Sequence, residues 1–151
     1  MCIKNGIIYG DYMTSYSVMA VKNDGTIYTP AQGLMGKDLL AAGVKDTYNF
    51  GPILIQNGEA QLPWAETEKY YPRTAVGMVK PNDYVLLVTD TGTYNGLNHW
   101  DMVNIFKSYG CTYAYNLDGG GSATLYFNGK VMNKLIGNTQ RPCADFLYFT
   151  R

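Results

Sequence analysis

An excess of charge is missing from this sequence: twelve Lys and Arg are balanced by twelve Asp and Glu, for a formal net charge of +0. A neutral chain without a basic run has no field with which to gather nucleic acid or anionic lipid, so neither is an expected partner. Long hydrophobic runs are also missing. No apolar stretch approaches the roughly 20 residues that a membrane-spanning helix requires, so no membrane span is expected. Met1 is followed by Cys2-Ile3-Lys4-Asn5-Gly6 rather than by a basic segment and an apolar core, so no signal peptide is expected in this chain. Cysteine is scarce. Cys2, Cys111 and Cys143 have neither metal-ligand spacing nor an even count, which leaves a disulfide framework and a zinc site without support. A single Cys111–Cys143 bridge is the one pairing to weigh against free thiols.

What is present is an ordinary globular composition, 46% apolar and 16% charged over 151 residues, enough to bury a core without staples. Short apolar or alternating runs predict strands at Ile3–Tyr9, Ser17–Val21, Gly51–Gln56, Ala75–Val79 and Tyr84–Thr89. Asn5-Gly6, Asp24-Gly25, Asn57-Gly58 and Asn128-Gly129 supply the left-handed backbone of tight hairpins, so the sheet should be largely antiparallel. Helical pattern appears at Lys37–Ala42, ended by Gly43, and over 98–109, where Asn98 can cap and Asp101 sits in the first turn. Trp100, Val103, Ile105, Phe106 and Tyr109 form the apolar stripe of that second helix, and Gly110 ends it. These elements predict an α+β fold: a mixed, largely antiparallel sheet with hairpins and one main packed helix. No linker or repeat divides the chain, so residues 1–151 read as a single domain.

One segment stands apart, Tyr115-Asn116-Leu117-Asp118-Gly119-Gly120-Gly121-Ser122-Ala123-Thr124-Leu125. Consecutive glycines cost backbone entropy and give a strand nothing to pack, so another demand must keep the chain bare there. Glycine N–H groups with the hydroxyls of Ser122 and Thr124 make a cradle for an anion or a sugar oxygen, with Asp118 at its rim. A tight turn between strands Ala114–Leu117 and Ala123–Phe127, with Asp118 bonded to its own backbone, is the alternative.

The order of four segments carries more information. Tyr48-Asn49-Phe50-Gly51-Pro52-Ile53-Leu54 comes first, followed by Pro72-Arg73-Thr74-Ala75-Val76-Gly77, Asn116-Leu117-Asp118-Gly119-Gly120-Gly121-Ser122 and Arg141-Pro142-Cys143-Ala144-Asp145. This ordered set resembles the phosphodiester glycosidase family, which includes many bacterial and phage-associated proteins, often extracytoplasmic. The likeness runs from the Ile3–Tyr9 hairpin to Phe149. Two departures stand out. Family domains usually begin further upstream, with strands and an Asn-Gly-Gly-Phe-Phe-like segment that this chain lacks, and Cys143 stands where an aliphatic residue is common.

The resemblance implies cleavage of the bond between a sugar's anomeric carbon and a phosphodiester oxygen. An ionised phosphate leaves readily, so donors around it count for more than a strong general acid. On this reading Asp118 stabilises the anomeric carbon or activates water, with Asp90 as its partner. Arg73 and Arg141 clamp the phosphate, since a guanidinium grips two anionic oxygens and keeps its charge. Thr74, Asn49, Asn116, Gly119, Gly120, Gly121, Ser122 and Thr124 are the expected substrate-binding residues. Strand-end aspartates also serve as turn residues, arginines as ion-pair partners, and inward amides satisfy backbone. His99, the only histidine, invites a general-base role, but its place in a first turn favours capping or packing. Fourteen tyrosines could stack on sugars, yet a sheet-rich core uses aromatics for packing.

The expected partner is therefore a sugar-phosphate or glycan substrate. No cofactor is predicted, although Asp90, Asp118 and Asp145 are compatible with a divalent cation. Two other readings stay open. One is a non-catalytic module binding a phosphorylated sugar or nucleotide-like ligand. The other is a homo-oligomer or complementing chain that supplies the missing strands.

Overall fold

A computed structural model describes residues 1–12, 17–62, 69–90 and 95–149. Its strands are β1 (Cys2–Lys4), β2 (Ile7–Gly10), β3 (Ser17–Lys22), β4 (Ile27–Tyr28), β5 (Val44–Phe50), β6 (Ile53–Gln56) and β7 (Glu59–Ala60). They continue with β8 (Thr74–Lys80), β9 (Asp83–Val88), β10 (Tyr113–Leu117), β11 (Tyr126–Phe127) and β12 (Lys130–Val131). The helices are α1 (Gly36–Ala41) and α2 (His99–Ser108). Every ladder among the described residues is antiparallel. The α+β expectation is met, with α2 as the main helix.

Local chemistry accounts for the hairpins. Asn5-Gly6 joins β1 to β2, Asn57-Gly58 joins β6 to β7, and Asn128-Gly129 joins β11 to β12. Both residues of each pair have positive φ, the left-handed geometry that a two-residue turn needs. Asn98 caps α2 as expected: its Oδ1 accepts the Asp101 N–H at 2.8 Å, and the Asp101 carboxylate accepts the Asn98 N–H at 3.4 Å.

Side-chain alternation sorts the strands into layers. The central sheet runs β7-β6-β10-β8-β9, and a second sheet runs β4-β3-β5. Ala75 and Ala114 face α2, where Leu54, Ile55, Met102, Val103 and Phe106 complete one core. Their sequence neighbours Val76, Tyr113 and Tyr115 point the other way and meet Met19 and Ile27 of the second sheet. Val18 and Ala20, on the far side of β3, close a third core with Met1, Ile3, Leu39 and Val44. The order is thus α2, central sheet, second sheet, then α1 with the β1–β2 hairpin.

Two expectations are corrected here. The buried face of α2 is His99, Met102, Val103 and Phe106, whereas Tyr109 is exposed. Phe106 seats so close to the sheet that a Cβ on Gly77 would stand 2.5 Å from its ring, and the face is set by that approach. Of the strand that the tight-turn alternative places over Ala123–Phe127, only Tyr126–Phe127 forms, following a short 3-10 turn at Gly120–Ser122. Cys111 and Cys143 are both free thiols, one buried and one exposed.

Candidate active site

β10 is the central strand of the middle sheet, paired with β6 on one side and β8 on the other. It ends at Leu117, opposite Thr74, so Asp118 emerges where β8 begins. The carboxylate then organises the turn that follows. Asp118 Oδ1 accepts the Gly119 N–H at 2.9 Å and Oδ2 accepts the Ser122 hydroxyl at 2.7 Å. Ser122 N–H closes the turn on Gly119 O at 3.0 Å, and Gly120 N–H fastens it to Pro72 O at 2.8 Å.

The three glycines meet separate demands. A Cβ on Gly119 would lie 2.4 Å from Pro72 O, so the close approach of the 72–73 backbone keeps this position bare. Gly120 has φ +56 and open space beside it, while a Cβ on Gly121 would stand 3.4 Å from Arg141 Cδ. Sequence reasoning attributes the bare chain to a ligand; at Gly119 the neighbour is the protein's own backbone.

Arg141 comes back to this turn from the far end of the chain. Its Nη2 stands 3.3 Å from Asp118 Oδ2, with 58% of the Arg141 side chain and 45% of the Asp118 side chain exposed. Asp118 thus accepts from an amide, a hydroxyl and a guanidinium while keeping an open face. A fixed carboxylate beside a partly free guanidinium can hold an anionic phosphate at the cation and present an oxygen to a reacting carbon or water.

The other expected site residues fall into three groups. Thr74 and Asn116 flank Asp118, and both carry a buried oxygen, Thr74 Oγ1 and Asn116 Oδ1, without a hydrogen-bond partner among the described residues. Asn116 is otherwise engaged with the strand connection: its Nδ2 donates to Gly51 O at 2.7 Å and its N–H donates to Pro52 O at 3.1 Å. Thr124 is half-buried just beyond the turn.

Arg73 has its Cα close against Gly119, and both its guanidinium and the Asp90 carboxylate are engaged with backbone. Arg73 Nε donates to Leu97 O at 3.1 Å and Nη2 to Lys69 O at 2.9 Å, with the guanidinium centre 5.4 Å from the Tyr71 ring. Burial lowers its pKa from the ordinary arginine value, an effect that the nearby Tyr71 opposes. Asp90, just past β9, accepts the Lys134 N–H at 2.7 Å. It lines an open groove of about 470 Å³ with Thr89, Ile105, Leu125, Met132 and Asn133.

Asn49, His99 and Asp145 lie elsewhere. Asn49 belongs to the second sheet and donates to Met1 O at 2.5 Å. His99 is buried on the sheet-facing side of α2. Asp145 pairs with Lys4 at 3.1 Å, so the three aspartates do not converge. Among the described residues no group of three His, Cys, Asp or Glu side chains is placed to hold a metal ion.

A model of the phosphodiester glycosidase family matches residues 1–150. The chain belongs to the phosphodiester glycosidase family. The SPbeta prophage-derived uncharacterized protein YomE of Bacillus subtilis (strain 168) is 30% identical over 156 residues, covering 96% of this chain and 24% of that protein. The N-acetylglucosamine-1-phosphodiester alpha-N-acetylglucosaminidase of Mus musculus is 43% identical over 58 residues, 38% of this chain and 11% of the mouse protein. Among solved structures, the zebrafish catalytic domain of that enzyme, auto-inhibited by its pro-peptide, superposes with a TM-score of 0.62 at 23% identity. It covers 80% of this chain and 45% of the zebrafish one, and at that identity the likeness shows a shared fold. This phosphodiester glycosidase family member spans about a quarter of the prophage protein, 24% of its length.

One residue of the family member's site escapes the sequence reading. Asn133 Oδ1 accepts the Leu125 N–H at 2.7 Å and its Nδ2 donates to Ala123 O at 2.8 Å, bracing the chain that leaves the glycine turn. An asparagine two residues past a hairpin looks like any loop asparagine, and only the fold reveals what it spans.

Proposed function

We propose that this chain is a hydrolase that cleaves the glycosidic bond of a sugar-1-phosphodiester, releasing free sugar and a phosphomonoester. The observation that carries this reading is the half-open Asp118 carboxylate held by Ser122 and Gly119, with the Arg141 guanidinium 3.3 Å away. Family membership supports the reaction class.

In this mechanism the phosphodiester anion displaces part of the Arg141–Asp118 contact and takes the remaining guanidinium N–H groups. Gly120 and Gly121 leave space for the sugar or phosphate to approach the turn. The anomeric C–O bond breaks, the electron pair departs with the phosphate oxygen, and water adds its oxygen to the anomeric carbon. Asp118 faces the positive charge that develops on the sugar, or takes the proton of the attacking water. Thr74 Oγ1 and Asn116 Oδ1, unpartnered among the described residues, are shielded from solvent, so a sugar hydroxyl would reach them only if the turn shifts on binding.

The test is incubation of the protein with a panel of sugar-1-phosphodiesters and detection of free sugar by mass spectrometry, beside Asp118→Asn. Release that depends on Asp118 supports the hydrolase, and no release from any member refutes it on that panel. A second reading is favoured by the engagement of Arg73 with two backbone carbonyls, which leaves Arg141 as the more available cation. On that reading the chain binds a phosphorylated sugar without turning it over, and calorimetry would register binding in the absence of product.

A further inference from the structure

Residues Ala123–Leu125 connect the glycine turn to the β11–β12 hairpin, and no strand ladder holds them. A side chain replaces the missing partner. Asn133 Oδ1 accepts from Leu125 N–H and Nδ2 donates to Ala123 O, so one planar amide satisfies both backbone groups, at 2.7 and 2.8 Å. Met132 N–H adds a bond to Leu125 O at 2.8 Å. The next residue, Lys134, donates its N–H to Asp90 Oδ2 at 2.7 Å. The segment bearing Ser122 is thereby fixed at one end by Asp118 and at the other by an amide whose neighbour holds the second carboxylate.

The hairpin cannot supply this order itself. Tyr126 is 67% exposed and Phe127 62% exposed, on opposite faces of a ladder two residues long, so packing gives the hairpin little anchorage. Aspartate at 133 would keep the acceptor for Leu125 but set an oxygen against Ala123 O, and alanine would lose both bonds.

We propose that Asn133 is a positioning residue of this site: it fixes the chain leaving the glycine turn so that Ser122 stays bonded to Asp118. The consequence for turnover rests on the hydrolase reading above, whereas the consequence for loop order does not. Asn133 touches neither Asp118 nor the open face of the turn in the contacts described, and so acts through backbone.

The experiment compares wild type, Asn133→Ala, Asn133→Asp and Asn128→Ala in the full chain. Asn128→Ala is the control, since it weakens the hairpin at its left-handed turn without touching the Asn133 bonds. Two quantities are read: kcat and KM on a sugar-1-(methyl phosphodiester), and amide hydrogen exchange across residues 119–125. Both Asn133 variants are expected to lower kcat about tenfold or more with KM within about twofold, the pattern of a lost transition-state arrangement. Exchange over 119–125 should rise about tenfold, with β8 and β10 unchanged. Asn128→Ala should leave kcat within about twofold. Unchanged exchange over 119–125 in Asn133→Ala, or an equal loss of kcat in Asn128→Ala, overturns the proposal. If wild type shows no turnover the hydrolase reading fails, and the exchange comparison alone decides the role of Asn133.

Discussion

Asp118 and Arg141 meet at 3.3 Å across the mouth of the glycine turn, although 23 positions separate them in sequence. An exposed pair of this kind contributes little to stability, about 0–1 kcal/mol, so on the proposed hydrolase reading its role is what the two groups present to a substrate. Asp118→Asn is expected to reduce kcat about 10³-fold, within the range of a lost acid–base or charge-stabilising group. Arg141→Ala should reduce kcat/KM about 10²-fold, with Arg141→Lys in between, because lysine keeps the charge and loses the fork. Steady-state kinetics with a denaturant midpoint for each variant separates these losses from unfolding. A fully active Asp118→Asn would remove Asp118 from the mechanism.

The glycines offer a graded test of the turn. Gly119→Ala places a methyl 2.4 Å from Pro72 O, which must shift the strand entry, and a loss of about 1–3 kcal/mol is expected. Gly121→Ala meets only the Arg141 Cδ methylene, at 3.4 Å in a half-exposed side chain that can yield, and should cost less than about 0.5 kcal/mol. Urea unfolding of the two variants measures the difference; equal midpoints would refute the assigned roles.

Alkaline pH probes the contact between the two sheets. Tyr115 is buried, donates to Ser17 O at 2.5 Å and accepts the Phe50 N–H at 2.8 Å. Burial pushes its phenol from the ordinary 10.0 up to about 12, against a downward pull from the Phe50 N–H. The unfolded chain therefore releases this proton near pH 10 while the folded chain holds it, so stability is full below about 10 and falls as pH rises toward about 12. Tyr48 adds to the fall, raised to about 12 first by burial and then by the nearby Asp46 and Asp145 charges. Tyr115→Phe should lower stability at pH 7 by about 1–3 kcal/mol and flatten the fall between pH 10 and 12, as read from denaturation midpoints against pH.

Features decided within a few residues are legible in the sequence. Asn5-Gly6, Asn57-Gly58 and Asn128-Gly129 prescribe their turns by backbone preference, and Asn98 with Asp101 forms a reciprocal cap that needs no tertiary partner. β5 is less legible: Val44–Phe50 carries Lys45, Asp46 and Asn49, and its burial does not alternate cleanly. The glycine turn is legible as a site, but the direction of each surrounding side chain is not. Arg73 and Arg141 look equivalent in sequence, yet one reaches two carbonyls and the other reaches Asp118. That choice follows from the Tyr71–Leu97 bridge, a pairing 26 positions apart that brings Leu97 O within reach of Arg73.

Arg73 therefore separates two roles. Its guanidinium satisfies Leu97 O, just before α2, and Lys69 O, and its own N–H reaches Thr89 Oγ1 at 3.0 Å. If this tether is its main task, Arg73→Ala leaves two carbonyls to find water and lowers stability by about 1–3 kcal/mol. At a temperature well below its midpoint the variant should then keep kcat within about threefold of wild type. A phosphate clamp would do the reverse: stability would change little, and kcat/KM for a phosphodiester would fall about 10²-fold or more, as expected for Arg141→Ala. Thermal unfolding and steady-state kinetics on the same two variants distinguish the cases. The two hydrogen bonds that Arg73 already makes lead us to expect the first.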